Sequence, residues 1–302
     1  MPRIIALTGA TGFLGQHLLK GLLDNGYGVK ALARRPGGLS GFSHKNLEVI
    51  EGDLATDLSG WAKGADCVIH LAGLVKAPSW KHFESVNVNG AKAVAKAAEN
   101  ANVPRLILLS SMTAREPGLS FYAKSKKLGE QAVKAEFSGK LAVIRAPAVF
   151  GPGDKATKPI FDLMKRGFLL VAGGRGWKTR SVAMVYVHDL VDDLIARALK
   201  GEYDNKSVSP ATVKALSMPE LANYGEDAFN RSVRAFPVPL FILYPIAAIT
   251  TLTLRLFSIG HLSLGKLAEF RYEHWQSNDL VSNPTPMVEA ISKTVQSYDA
   301  PE

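Results

Sequence analysis

A short apolar strand from Arg3 to Leu7 runs into TGATGFLG and then into a helical pattern through Leu18, Leu19, Leu22 and Leu23. This opening constrains the fold more than any other stretch, because strand, glycine turn and helix together start a βαβ unit built to hold a dinucleotide. Gly9 permits the tight turn and Gly12 lets a pyrophosphate approach the backbone. Gly15 allows the helix to pack close to the sheet, with its N-terminal amides facing the phosphates.

Further strand and helix units follow in LEVIEGDL, DCVIHLAG, a helix from about His82 to Asn100, and RLILLSS. Strands with continuous apolar interiors, alternating with helices, imply a parallel sheet covered on both faces, with the ligand crevice at the C-terminal strand ends. Asp53 stands just past one strand end, where it can accept from an adenine amino group or cap its own turn. Ala72 and Gly73 end another strand, and small residues there let a cofactor lie close. The strand GVKALARR ends in Arg34 and Arg35, where an NAD site would carry an acid for the ribose 2′-hydroxyl. Guanidinium groups at that place suit a 2′-phosphate, so NADP is the expected cofactor.

Tyr122 and Lys126 are four residues apart in the helical segment FYAKSKKLGEQAV, and Ser111 ends the strand before it. Helical i, i+4 spacing stacks the two side chains, so an ammonium can lower the pKa of a phenol from about 10. A phenol that gives a proton, a lysine that tunes it and a hydroxyl that steadies an oxygen suit hydride transfer to a ketone.

The ordered set TGATGFLG, EGDL, HLAG, SVNVNG, LSSM, YAKSK, RAPAVFGPGD and VHDLVDD resembles the extended class of the short-chain dehydrogenase/reductase superfamily, from Arg3 to about Leu199. That class includes NAD(P)-dependent epimerases and dehydratases, 3β-hydroxysteroid dehydrogenases and bacterial reductases of oxidised ceramide. The last two are the nearest in type. The resemblance implies an α/β Rossmann fold, a doubly wound parallel sheet with a smaller C-terminal substrate lobe. The expected NADP-binding domain covers residues 1–150 and 181–200, and the substrate lobe covers 151–180 and 201–302. The resemblance also implies Ser111, Tyr122 and Lys126 as the catalytic triad, with Lys126 also on the nicotinamide ribose. Gly9, Thr11, Gly12, Phe13, Leu14 and Gly15 would hold the pyrophosphate segment, Asp53 and Leu54 the adenine, and Ala72 and Gly73 the dinucleotide. Pro147 and Val149 would lie by the nicotinamide, and Asn87 would play a supporting role. Ser111 and Tyr122 are only 122 − 111 = 11 positions apart, whereas sugar-nucleotide epimerases of this class carry a longer loop there.

The C-terminal lobe is apolar in Phe161 to Leu170, Phe236 to Leu254 and Leu256 to Leu267, which suits a hydrophobic, lipid-like substrate. Arg175, Lys178 and Arg180 could meet an anion, although basic loops are more often solvated. The expected activity is therefore NADPH-dependent reduction of a lipid-like carbonyl. The alternatives are a sugar-nucleotide epimerase or dehydratase, and a non-catalytic NADP-binding accessory protein.

The tract AFPVPLFILYPIAAITTLTL, Ala235 to Leu254, has the length of a membrane span. Pro237, Pro239 and Pro245 argue against one, because they confine the expected regular helix to the part after Pro245. The segment 236–257 is read as an interfacial contact and an entrance wall, with burial in the lobe as the rival. A net charge of +9 over 302 residues favours anionic partners. No nucleic-acid motif accompanies the charge, and nucleic acid is not expected. The single Cys67 sits in an apolar run without a zinc-ligand neighbour, so a buried thiol and no metal are expected. The short apolar run at Ile4 to Leu7 is no secretory core, which places the protein in the cytoplasm. A peripheral contact on the cytoplasmic face of the inner membrane and a homodimer complete the expectations.

Overall fold

The computed structural model describes residues 3–257 and 262–299. Thirteen strands are present among them: β1 (Ile4–Thr8), β2 (Gly28–Ala33), β3 (Leu47–Glu51), β4 (Cys67–His70), β5 (Arg105–Ser111), β6 (Lys140–Ala146), β7 (Ala148–Phe150), β8 (Phe168–Ala172), β9 (Ser181–Tyr186), β10 (Ser207–Val208), β11 (Val213–Ser217), β12 (Arg234–Val238) and β13 (His274–Trp275). The chain forms two compact units, Met1–Arg145 with Val191–Val208, and Ala146–Leu190 with Ser209–Glu302.

The first unit is a seven-stranded sheet in the order β10-β6-β5-β4-β1-β2-β3. β1 pairs in parallel with β2 on one side and with β4 on the other. The strand order reverses direction there, and in an open α/β sheet the ligand crevice lies at such a switch point, outside the carboxyl ends of the strands. Thr8 and His70 stand at those ends and are opposed in register. The helix Phe13–Asp24 buries Leu14, Leu18, Leu19, Leu22 and Leu23. Each fully buried leucine contributes about 1.5–3 kcal/mol. Cys67 lies in β4, fully buried, and burial pushes its thiol up to about 12. The helical run from Trp80 to Asn100 widens into a π turn over Glu84–Gly90. Such widened turns are often found at functional sites.

The second unit holds a four-stranded sheet, in which β9 pairs with β7, β11 and β13, and a two-stranded parallel sheet of β8 and β12. Residues 181–190, expected in the nucleotide-binding domain, sit in this unit, because the pairings of β9 all lie within it. Likewise the first boundary falls at Arg145, where β6 leaves the large sheet, rather than at residue 150. The core is built on Phe150, Phe161, Met164, Tyr186 and Ile291.

Two readings of this unit need correction. Arg180 does not sit on a solvated loop: it is 7% exposed and donates to the carbonyls of Ala172 (2.8 Å) and Phe270 (3.3 Å), tying β8 to the helix Leu264–Arg271. The second concerns Pro245. Regular helix begins ahead of it and runs Leu240–Phe257 with the proline inside. The Pro239 carbonyl accepts from the amides of Ile242 and Leu243, so the first turn is closed before the proline is reached. Pro245 then forfeits only its own bond to the Phe241 carbonyl. The rival reading of burial fails as well, since Phe241 is 77% and Ile249 63% exposed, while among residues 240–254 of this helix only Ala247 and Leu254 are buried. No helix among the described residues is long and apolar enough to cross a membrane. Residues 258–261, inside the apolar tract expected from Leu256 to Leu267, lie outside the described residues.

Candidate active site

The glycine turn is sterically closed against any larger residue. Gly9 has φ +77°, and a Cβ there would stand 2.6 Å from the Ala72 amide nitrogen. A Cβ on Gly15 would fall on the Gly9 carbonyl. These contacts bring the turn after β1 onto Ala72 and Gly73 after β4. Gly12 starts the helix in extended conformation, no side chain caps it, and the first turn, with Phe13 and Leu14, contains no acid. Backbone amides and the positive helix end are therefore presented without a competing carboxylate.

Beneath the turn, the Thr8 hydroxyl accepts from the Ala72 amide (3.3 Å) and lies 2.7 Å from His70 Nδ1. A hydroxyl that accepts one bond can donate its proton to Nδ1, which puts the imidazole proton on Nε2. Burial pushes the His70 pKa down to about 3, with Lys126 adding to the shift. His70 is thus neutral at physiological pH and acts as a fixed brace for the Ala72 segment. Thr8 and His70 are within the quoted motifs, but nothing in their spacing assigns them this role.

Arg34 and Arg35 are both exposed, just past the end of β2. Arg34 Nε lies 3.9 Å from Asp53 Oδ2. Asp53 Oδ1 accepts from the Ala55 amide at 3.0 Å, so its carboxylate also caps its own turn, the simpler of its two readings. Leu54 packs where a Cβ on Gly90 would intrude at 2.8 Å. Thr11 lies against Gly38, within 3.0 Å of a Cβ built there.

The catalytic candidates are positioned by β5 and by the helix Phe121–Glu136, whose start is capped by Ser120 accepting from the Ala123 amide. Lys126 Nζ donates to the Leu109 carbonyl at 2.7 Å, two residues before Ser111 on β5. A Cβ on Gly73 would be 3.7 Å from the same ammonium and 3.2 Å from Asn87 Oδ1. The side chain of Lys126 is partly buried, and desolvation pushes its pKa down to about 8 against the opposing pull of Glu130. Ser111 Oγ accepts from the amide (3.2 Å) and the hydroxyl (3.0 Å) of Thr113. Both bonds are incoming, so its own proton remains to be given to an oxygen. Tyr122 packs its ring against Phe83 at 6.2 Å.

Two groups hold this arrangement, of which sequence reasoning gave Asn87 an unspecified supporting role and the other none. Asn87, in the π turn, accepts from the Leu74 amide (2.7 Å) and donates to the Leu74 carbonyl (2.9 Å) and to Ser125 Oγ (2.9 Å). Ser125 in turn donates to the Tyr122 carbonyl at 2.8 Å. One asparagine therefore fixes the segment after β4 and the Tyr122 turn together. Ser125 stands between the tyrosine and lysine in YAKSK, and its three-residue offset from Tyr122 was the available signal. The second group is Glu130, buried and held by a two-point bond from Arg145 (2.9 and 2.7 Å) and by the Ser110 hydroxyl (2.5 Å). Two-point guanidinium contacts of this kind fix geometry as well as charge.

These residues fit a dinucleotide cofactor: the closed glycine turn, the acid-free helix start and the ammonium beside Gly73 line the switch point of one sheet. Pro147 and Val149 belong to the second unit, where Val149 pairs with Val185.

Residues 9–149 match the family described as NAD(P)H-binding. Among similar proteins, the ceramide reductase of Caulobacter vibrioides is 44% identical over 64% of this chain and 60% of the relative, so the match spans less than two thirds of that protein. The sterol-4-alpha-carboxylate 3-dehydrogenase, decarboxylating, of Mus musculus is 25% identical over 96% of this chain and 89% of the relative. In fold, the chain resembles the UDP-glucuronic acid 4-epimerase of Bacillus cereus, solved with UDP-glucuronic acid and NAD, with a TM-score of 0.71, 18% identity and coverage of 98% and 99%. The sheet order, the glycine turn and these likenesses agree: residues 9–149 match an NAD(P)H-binding family, and the chain resembles the extended class of the short-chain dehydrogenase/reductase superfamily.

Proposed function

We propose that the protein is an NADPH-dependent oxidoreductase that reduces the carbonyl of a hydrophobic, lipid-like substrate, most specifically a 3-oxo-sphingolipid (oxidised ceramide) or a sterol-type ketone. The observation that carries this reading is the tethering of Lys126 to β5 beside Ser111, on the same helix turn as Tyr122. When bound, the nicotinamide supplies the hydride. Ser111 donates a hydrogen bond to the carbonyl oxygen, and Tyr122 gives that oxygen a proton as charge develops on it. The Lys126 ammonium favours the phenolate left behind, which lowers the cost of the proton transfer. Asn87, through Ser125, keeps the tyrosine turn in register with Leu74.

The similarity to a ceramide reductase and to a sterol dehydrogenase supports a lipid-type substrate. The short connection between Ser111 and Tyr122 supports it too, because it leaves out the loop that builds a sugar pocket. The solved epimerases resemble the chain in fold, and a UDP-glucose 4-epimerase of Vibrio cholerae is 27% identical over 80% of each chain, so sugar-nucleotide chemistry stands as the second reading.

The NADP preference rests on Arg34 and Arg35 and is tested by titrating NADPH and NADH against the protein by fluorescence. NADPH is expected to bind about tenfold to a hundredfold tighter, from charge-assisted contacts worth about 1.5–3 kcal/mol. Arg34→Ala should erase most of that difference. Equal affinities in the parent protein would reject the assignment.

A further inference from the structure

The second unit carries an apolar surface that the reductase chemistry does not use. On the helix Leu240–Phe257, Phe241, Ile242, Ile246, Ile249 and Leu252 are all exposed, largely at the three- and four-residue steps of one helix face. The threonines that would make such a helix polar are satisfied internally: Thr250 and Thr251 donate to the carbonyls of Ile246 (2.9 Å) and Ala247 (2.6 Å). The strand pair leading into the helix continues the pattern. Phe168 and Leu170 alternate outward on β8, opposite Arg234 and Phe236 of β12, and the rings of Phe168 and Phe236 meet at 5.8 Å.

The sequence that carries most of this surface is basic. Between Arg231 and Arg271 the sequence holds five basic residues, Arg231, Arg234, Arg255, Lys266 and Arg271, and one acid, Glu269, a balance of 5 − 1 = +4. Glu269 is buried and paired with Lys266 at 3.0 Å, which leaves no accessible carboxylate among the described residues of the stretch. Arg271 is exposed and reaches Tyr244, a residue of the apolar helix, donating to its hydroxyl at 2.5 Å.

We infer that this face docks on an anionic lipid surface, with the helix lying in the headgroup boundary and the arginines on lipid phosphates. An apolar stripe bordered by Arg and Lys is the pattern of an interfacial helix, and anionic headgroups complement the +4 balance. A second copy of the chain is the poorer occupant. A two-fold interface sets the same patch against itself, and here it would bring basic stretches of like charge together. The docking surface stands independently of what the active site reduces, because it is read without turnover.

The test is flotation of the full chain with vesicles of phosphatidylcholine alone or mixed with phosphatidylglycerol. Binding to the mixed vesicles should exceed binding to the neutral ones by about tenfold and fall as salt is raised. Phe241→Ser combined with Ile249→Ser should lower it by about tenfold with NADPH affinity unchanged, and Arg234→Ser should lower it less. Both sites are exposed, and circular dichroism is the check that the variants fold. Two results overturn the inference: no flotation with phosphatidylglycerol vesicles, or a solution dimer that the double variant dissociates while the parent protein ignores both kinds of vesicle.

Discussion

Tyr122→Phe is expected to lower the turnover of a ketone substrate by a factor of about 10²–10⁴, the usual worth of a positioned proton donor, while NADPH affinity stays within about twofold. The substitution removes one oxygen and leaves the ring that packs on Phe83. Its backbone carbonyl still accepts from Ser125, so the helix turn keeps its place. The predicted signature is a fall in kcat without a matching rise in KM for the cofactor. A variant that retained most of its turnover would show that the proton comes from another group, and the roles of Ser111 and Lys126 would have to be assigned afresh.

The second large effect is expected at Gly15. An added methyl group would fall on the Gly9 carbonyl, a backbone atom that cannot rotate away, so the helix must retreat from the sheet or the turn must open. Gly15→Ala should cost about 3 kcal/mol or more of stability and weaken NADPH binding by at least about a hundredfold. Urea unfolding of the cofactor-free protein and fluorescence titration of NADPH read the two effects separately. Unchanged values for both would mean that the turn is looser than the contacts around Gly9 and Gly15 imply. Gly26 serves as a control of the same residue type. It has φ +79° and no atom within 4 Å of an added Cβ, so Gly26→Ala meets only the backbone penalty and should leave NADPH binding intact.

Much of the first unit was legible in the sequence, because its signals are local. A strand such as Ile4–Thr8 is apolar up to Leu7, the turn after it needs glycine at fixed offsets, and the helix Phe13–Asp24 shows its leucine stripe in the primary structure. Tyr122 and Lys126 could be placed on one helix face from spacing alone. What stayed hidden depends on long-range pairing. Asn87 meets Leu74 across 13 residues and Ser125 across 38, and no local pattern connects them. Glu130 looks like one more surface charge on an amphipathic helix until Arg145, 15 residues later in β6, covers it.

The second unit was harder for a different reason. Proline weighs heavily in any local reading of helix, yet Pro245 stands where the first turn is already closed by the Pro239 carbonyl, so its effect is one missing bond rather than a boundary. Hydrophobic sequence alone also cannot separate a buried tract from an exposed one. For the segment 236–257 the sequence left an interfacial contact with an entrance wall against burial in the lobe, and in its part 236–254 the structure leaves most of the large side chains in solvent.

The central claim, reduction of a lipid-like ketone at Ser111, Tyr122 and Lys126, is tested most directly by incubating the purified protein with NADPH and a panel of oxo-ceramides, sterol ketones and UDP-sugars. Loss of the reduced nicotinamide absorbance and formation of the product alcohol are followed together. The account predicts NADPH oxidation equal to the alcohol formed on an oxo-ceramide or sterol ketone, faster than with NADH and abolished in Tyr122→Phe. Interconversion of a UDP-sugar with no net oxidation of cofactor, and no alcohol from any lipid ketone, would contradict it.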